Sequence, residues 1–498
     1  MRVRLGVAVI GAVLLLGTAA LAKETGKGDD VRTRLLSAFE KVQKGDCPGT
    51  LTLITPLLEP GALDNYNDAT KSAAFGLGAA CSADHDPATA YKYALAATAL
   101  ETANSNAWGI RLWLEMREKR HADAVKTVET MAERQPEALN AIGIQAYHEL
   151  SMTLRRDDKD KPLRKRLLAA LSGPVYQPME ITASPDSFRQ AYAGMLADDG
   201  DKAGASKMIA LIEEPSLLIR TSVDPRLRFA VPVDFDARAA VEKALTKARD
   251  VAAAHAASMA AVLEVARYLR MLGRPQEALA TLEAAQPEGA ARESFDDLSK
   301  WENWWWDAMA RSYQTLGRYD DTIRAYSHAV DAKEAGGLNV SQTINLAYAH
   351  MAFGKWDKAV ATVADFEKGD YAVSPYGLMQ MRGVRGCSRF LLGRTAEAKA
   401  DLDYVVAHEM DDPSSLTWLA LCANEMDMAA ASVIRRLDNP DRRAQALLDL
   451  SDYADAPESQ PELPFEDRYD ALTARADVKA AIERAGGTRT FNVQASEF

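Results

Sequence analysis

An all-α chain of repeated helical hairpins, grouped in two lobes, is what this sequence predicts, and three observations predict it. The composition is 48% hydrophobic and 26% charged, rich in alanine and poor in β-branched residues, which suits helices better than strands. From about residue 255 to residue 406, apolar residues recur at helical spacing and are punctuated by turn glycines at 273, 317, 354 and 393. Between the halves, residues 215–235 carry Pro225 and Pro232, which interrupt the helical rhythm. With 498 residues the chain has room for two or more folding units, or one long array.

The first 22 residues differ from the rest. Arg2 and Arg4 form a basic start, Leu5 to Leu16 an apolar run, and Ala20-Leu21-Ala22 a small-x-small end. That order predicts a secretory signal peptide cleaved after Ala22; retention as a membrane anchor is the alternative, because the run approaches the lower limit for a spanning helix. No cysteine follows the run, which argues against a lipid anchor, and no long uncharged apolar stretch follows, so no stable membrane span is expected after cleavage. Loss of Arg2 and Arg4 takes the formal charge from -12 to -14. An acidic chain without a Lys/Arg cluster repels phosphate, so nucleic acid is not an expected partner.

Residues 23–215 read as the N-terminal lobe. Gly45 with Leu51, Leu77-Gly78 with Ala90, Trp108 with Ala124 and Pro136, and Ala193 with Gly200 and Ala205 keep an alternation of helix, turn and helix. Residues 216–245 read as a connecting segment. An echo of nine residues, Asp236 to Ala244 against Asp477 to Ala485, leaves duplication and chance similarity both open.

The C-terminal lobe, 246–453, holds the clearest units. Val265, Ala266, Leu269, Gly273, Ala278, Leu282 and Ala285 in one unit align with Trp306, Met309, Ala310, Tyr313, Gly317, Tyr319, Tyr326 and Ala329 in the next. The scheme returns in Leu346-Ala347, Gly354, Trp356, Ala359, Val363 and Phe366, and in Gly386, Gly393, Ala398, Leu402 and Val405. This pattern resembles the tetratricopeptide repeat, firmly over roughly 255–440 and more weakly over 30–215. The glycine spacings of 44, 37 and 39 exceed that family's usual period, which implies longer loops such as Pro287 to Asp297. Residues 454–498, with Pro457, Pro461 and Pro464, read as a linker, a closing helix and a frayed end from Gly486.

The resemblance implies a helical-hairpin solenoid whose first helices leave an extended concave face open to a partner. In that register Arg267, Arg270, Trp304, Asp307, Arg311, Gln314 and Tyr348 project into the groove, where guanidinium forks and aromatic faces suit an acidic or carboxylate-terminated segment; ordinary solvated side chains are the alternative. The Lys/Asn/Arg set of chaperone-binding members is not complete here. Trp301, Trp304, Trp305 and Trp306 cannot all face one core, because successive residues turn by roughly 100°, so at least one is expected at the groove or in solvent. Cys47 and Cys81 are 34 residues apart, Cys387 and Cys422 are 35 apart, each close to one repeat. Disulfides Cys47–Cys81 and Cys387–Cys422 are therefore expected in an oxidising compartment, against four buried thiols.

Signatures of chemistry are missing. Thr25-Gly26-Lys27-Gly28 lacks the spacing of a phosphate loop, and the seven histidines show no paired zinc spacing. His408 with Glu409, Asp411 and Asp412 reads as a solvated loop rather than a cation site. The expectation is a non-enzymatic, periplasmic or secreted scaffold for a protein or peptide, without cofactor or metal. A helical binder of a small or polymeric ligand such as glycan, and a hydrolase with a site at the lobe junction, are the alternatives.

Overall fold

The structure is a computed structural model that describes residues 28–101, 103–287, 289–332, 339–367 and 373–495. The expected signal peptide, 1–22, lies outside the described residues. Among them are 26 α-helices and no strand, only an isolated parallel bridge between Asp452 and Thr490. The chain is all-α, and it divides into two compact units, one up to Met195 and one from Leu196.

Unit 1 comprises α1 (Gly28–Gln43), α2 (Cys47–Leu58), α3 (Asp68–Ser82), α4 (Pro87–Thr98), α5 (Ser105–Arg117), α6 (His121–Arg134), α7 (Pro136–Ala141), α8 (Ile144–Arg155), α9 (Lys161–Ser172) and most of α10 (Asp186–Asp198). Four of its helices, α2 to α5, start at a side-chain cap. The side chains of Asp46, Asn67, Asp86 and Asn104 accept from Gly49, Thr70, Thr89 and Ala107 backbone N–H groups, each satisfying one of the donors a first turn leaves orphaned. Cys47 lies bonded to Cys81, tying the start of α2 to the end of α3. A fully buried carboxylate, Glu115, is held by Arg111 Nε at 2.9 Å, Thr127 Oγ1 at 2.7 Å and Tyr91 OH at 3.2 Å, so its charge is compensated inside the core.

Unit 2 opens with α11 (Lys202–Ile209), α12 (Pro215–Val223) and α13 (Ala237–Ala254). Residues 216–245, expected to connect two lobes, thus lie within this unit. Five hairpins follow: α14 (Met259–Met271) with α15 (Pro275–Ala284), α16 (Leu298–Thr315) with α17 (Tyr319–Asp331), α18 (Val340–Ala352) with α19 (Trp356–Thr362), α20 (Pro375–Leu391) with α21 (Thr395–Ala407), and α22 (Pro413–Cys422) with α23 (Met426–Asp438). The unit closes with α24 (Pro440–Asp449), α25 (Glu466–Ala474) and α26 (Ala476–Ala485).

One turn recurs at all five hairpins. The backbone enters the left-handed region at Gly273, Gly317, Gly354 and Gly393, with φ between +69° and +73°, and the next residue donates back across it: Arg274 to Leu269, Arg318 to Tyr313, Lys355 to His350, Arg394 to Arg389. That bond satisfies carbonyls a helix end leaves open. At the fifth hairpin Asn424 takes the glycine's place at φ +62°, and Glu425 donates to Ala420 at 2.8 Å. Asparagine is the side chain that tolerates this conformation best after glycine. The repetition is what makes unit 2 a helical-hairpin solenoid.

The solenoid closes on itself. Helix α12 packs on α24, with Arg220 Nη1 donating to Gln445 Oε1 at 2.6 Å. Asn492 Oδ1 accepts from the Arg238 backbone at 3.0 Å, and Arg228 donates to the Gly486 carbonyl. A single apolar core runs from Ile219 to Phe491 and Val493. The end expected to fray from Gly486 is therefore docked as far as Gln494, because two apolar side chains near the terminus find buried seats. Both copies of the nine-residue echo lie in this unit, one in α13 and one in α26, so the echo does not relate the two units.

Candidate binding cleft

The first helices of the hairpins, α14, α16, α18, α20 and α22, carry a row of polar side chains, of which Arg270 and Asp307 are buried and Arg311 is partly exposed. Helical spacing puts Asp307, Arg311 and Gln314 on one face of α16, and Asn345 and Tyr348 on one face of α18. Of these, Arg311, Gln314, Asn345 and Tyr348, with Arg270 at the end of α14, Thr315, Tyr326 of α17 and Gln460, line an open cleft of about 270 Å³. Arg270, Arg311, Gln314 and Tyr348, four of the seven residues expected in a groove, thus meet at one place.

Their geometry is set by hydrogen bonds within the row. Buried Asp307 accepts from Arg311 Nε at 2.6 Å and from Asn345 Nδ2 at 2.9 Å, which fixes a guanidinium 38% exposed at the cleft. Tyr348 donates to Gln380 Oε1 at 2.9 Å; Gln380 Nε2 donates to Asp412 Oδ2 at 2.6 Å, which also accepts from Ser415 Oγ at 2.6 Å. Burial, with the Asp412 carboxylate nearby, pushes the Tyr348 phenol well above its ordinary range, so it serves as a neutral donor. A lining of two guanidiniums, amides and hydroxyls suits a ligand with carboxylate or carbonyl oxygens.

The other expected residues have different fates. Arg267 is engaged in the array itself: its guanidinium donates to Glu264 at 2.6 Å and to Glu214 at 3.0 Å and lies over the Tyr268 ring. Burial works to raise the Glu214 carboxyl, but Arg267 and the Tyr268 hydroxyl hold it below the usual value. Asp307 positions Arg311 and Asn345 without lining the cleft. Trp304 is 38% exposed on the same face of α16, outside the cleft. Trp305 is buried, with Nε1 donating to the Leu282 carbonyl at 3.1 Å, and Trp306 stacks on His328, so the tryptophan cluster divides between core and surface.

Asn345, Thr315 and Gln460 escaped the sequence reading, and Tyr326 figured there only as a packing position of the repeat. Asn345 sits on α18 one turn before Tyr348, and that spacing was available as a signal. Gln460 had none, because it reaches the cleft from the far end of the chain. The proline-rich segment is no detached linker. Ser459 Oγ donates to the Thr315 carbonyl at 3.0 Å, the Gln494 backbone to Met271 at 2.8 Å, and Arg468 Nη1 to Leu421 and Cys422 at 2.6 and 2.9 Å. All four acceptors are last-turn carbonyls of first helices, the groups that seek donors. The concave face expected to stand open as one trough is thus edged by the chain's own C-terminal segment, and what remains is a bounded cleft.

Cys387 lies bonded to Cys422, joining α20 to α22, so the cysteine pairs are the sequential ones. Among the described residues no group of three or more His, Cys, Asp or Glu is placed to hold a metal ion, and no helix is long and apolar enough to cross a membrane. No protein-family model and no curated protein matches the chain. Among solved structures, it is similar to a chain in the crystal structure of the APC/C hetero-tetramer Cut9-Hcn1, with 13% identity over 94% of this chain and 98% of that one and a TM-score of 0.30. That likeness is too distant to carry a conclusion about this chain.

Proposed function

We propose that the chain is an exported, non-catalytic scaffold of the tetratricopeptide kind, which holds a protein or peptide partner by an acidic or carboxylate-terminated segment at the cleft of unit 2. The observation that carries this reading is the convergence of Arg270, Arg311, Gln314 and Tyr348 on one pocket. Its volume of about 270 Å³ lies just below the range of small-molecule sites, which suits one anchoring side chain or chain end better than a whole ligand. The recurring turn of five hairpins supports the repeat assignment. Two cysteine pairs at bonding distance support an oxidising compartment, periplasmic or extracellular, reached through a signal at 1–22.

A photo-cross-linking residue in place of Gln314, activated in the producing cell, tests the reading. Protein adducts are expected, reduced at least tenfold by Arg311→Ala or Tyr348→Ala. Adducts indifferent to both substitutions, or none at all, would remove the cleft as a protein-binding site. Saccharide adducts would favour the glycan reading, for which the exposed Trp304 ring is the supporting observation.

A further inference from the structure

We propose that residues 454–464, whose Gln460 forms part of the cleft's wall, are an internal stand-in for an extended, acidic, proline-bearing segment of the partner, which takes its seat by displacing them. This rests on the scaffold reading above and adds the chemistry and the route of entry. Three observations carry it.

The fit comes first. Ser459 is bonded to the Thr315 carbonyl at 3.0 Å and Gln460 lines the cleft. The Ser459 carbonyl approaches Gly317 so closely that a methyl group there would collide with it, whereas the same turn position at Gly354 or Gly393 faces open space. The close approach occurs at the turn that flanks the cleft.

Charge comes second. The segment reads Ala-Asp-Ala-Pro-Glu-Ser-Gln-Pro-Glu-Leu-Pro, with Asp455, Glu458 and Glu462 and no basic residue, and it passes a pocket that holds Arg270 and Arg311. Its three prolines favour an extended backbone, the form in which a partner's segment would enter with little ordering cost.

The way it is held comes third. Both flanks are anchored: the Tyr453 hydroxyl donates to the Leu448 carbonyl at 2.9 Å, Ala454 N–H to Val493 at 3.0 Å, and buried Phe465 packs on Trp418 with ring centres 5.2 Å apart. Between them Glu458, Ser459, Glu462 and Leu463 are exposed, and Gln460 N–H turns back to Pro457 at 2.8 Å. The middle can therefore lift as a loop while the core beneath stays folded. Because it is tethered at high effective concentration, it competes with any free segment and weakens apparent affinity by the fraction of time the cleft is closed.

The test uses the full oxidised chain and a fluorescein-labelled synthetic peptide copying residues 454–464, followed by fluorescence anisotropy. In one variant the same residues are replaced by Gly/Ser of equal length. Binding at least tenfold tighter to this variant than to the unaltered chain is expected, with at least tenfold loss on adding Arg311→Ala, or on neutralising the peptide with Asp455→Asn, Glu458→Gln and Glu462→Gln. Equal binding to both chains, or binding indifferent to the peptide's acids, overturns the proposal. Should the replaced chain fail to fold by circular dichroism, Ser459→Ala with Gln460→Ala keeps both anchors and must still tighten binding. A silent peptide beside persistent adducts from position 314 sinks this inference alone; a bound peptide without any protein adduct sinks the scaffold reading.

Discussion

Asp401 of α21 is fully buried and faces three arginines of α20. It accepts from Arg382 Nη1 at 3.0 Å, Arg385 Nε at 3.1 Å and Nη2 at 2.5 Å, and Arg389 Nη1 at 2.7 Å. The arginines stand at i, i+3 and i+7, which brings them to one helix face. Asp401→Asn keeps the volume, so no cavity contributes; what changes is that one carbonyl and an amide donor replace a carboxylate among three guanidiniums, one of them only 1% exposed. Four charge-assisted bonds at about 1.5–3 kcal/mol each would sum beyond any plausible stability, so the sum is not the cost. The deciding quantity is the buried charge left without its partner, about 3–5 kcal/mol, which lowers the melting temperature of unit 2 by roughly 6–15 °C.

Urea unfolding followed by tryptophan fluorescence measures this, since six of the eight tryptophans lie in unit 2 and the signal weighs that transition. Adding Arg385→Met to Asp401→Asn removes the stranded cation and should recover part of the loss, a coupling of about 1–3 kcal/mol. A loss below about 1 kcal/mol for Asp401→Asn, or a second substitution that only adds to the damage, would refute the reasoning.

Three further outcomes follow from the same structure. Burial, with Lys358 nearby, pushes buried His350 down to about 4; the unfolded chain binds that proton near pH 6.5 and the fold does not, so stability falls as pH drops from 6.5 to 4, by about 3 kcal/mol in all. His350→Gln should flatten the slope in that window, and an unchanged slope in urea titrations would discount the histidine. Replacing Cys387 and Cys422 by serine releases a link across 35 residues and should cost about 4 kcal/mol on chain-entropy grounds, read as a lower urea midpoint for unit 2 with unit 1 unmoved. Gly386→Ala puts a methyl 2.9 Å from both Asp401 Cβ and Leu419 Cδ1, and overpacking of about 1–3 kcal/mol is expected in thermal melts.

The hairpins were legible because their cause is local. A glycine at the turn, small residues at the helix crossing and apolar residues every third or fourth position announce α14 to α21 within a few dozen residues of chain. The fifth hairpin was harder to see because Asn424 supplies the left-handed turn in place of glycine. Helical register brought four of the expected residues to one cleft, but it did not foretell burial: Arg270 and Asp307 lie buried. Arg267 was expected in the groove, yet Glu214, 53 residues earlier, holds it within the array. Ser459 meets Thr315 across 144 residues, a pairing no periodicity encodes. Packing positions follow from the repeat, whereas the occupancy of the face follows from contacts that close the solenoid.

That distinction bears on how a partner could bind. Along the first-helix row the polar groups already serve one another: Arg267 with Glu214 and Glu264, Asp307 with Arg311 and Asn345, Tyr348 with Gln380 and Asp412. A ligand that broke these bonds to make its own would gain little, because each exchange is nearly neutral and an imperfect one leaves a desolvated group unpaired. The segment 454–464 differs, since its flanks carry its anchorage and its middle carries few bonds. On the proposed reading, recognition is therefore an exchange of like for like at the cleft: a partner succeeds by matching the extended backbone and acidic charge of the segment it displaces, and its affinity is set by how much better it fits beside Arg311 than Gln460 does.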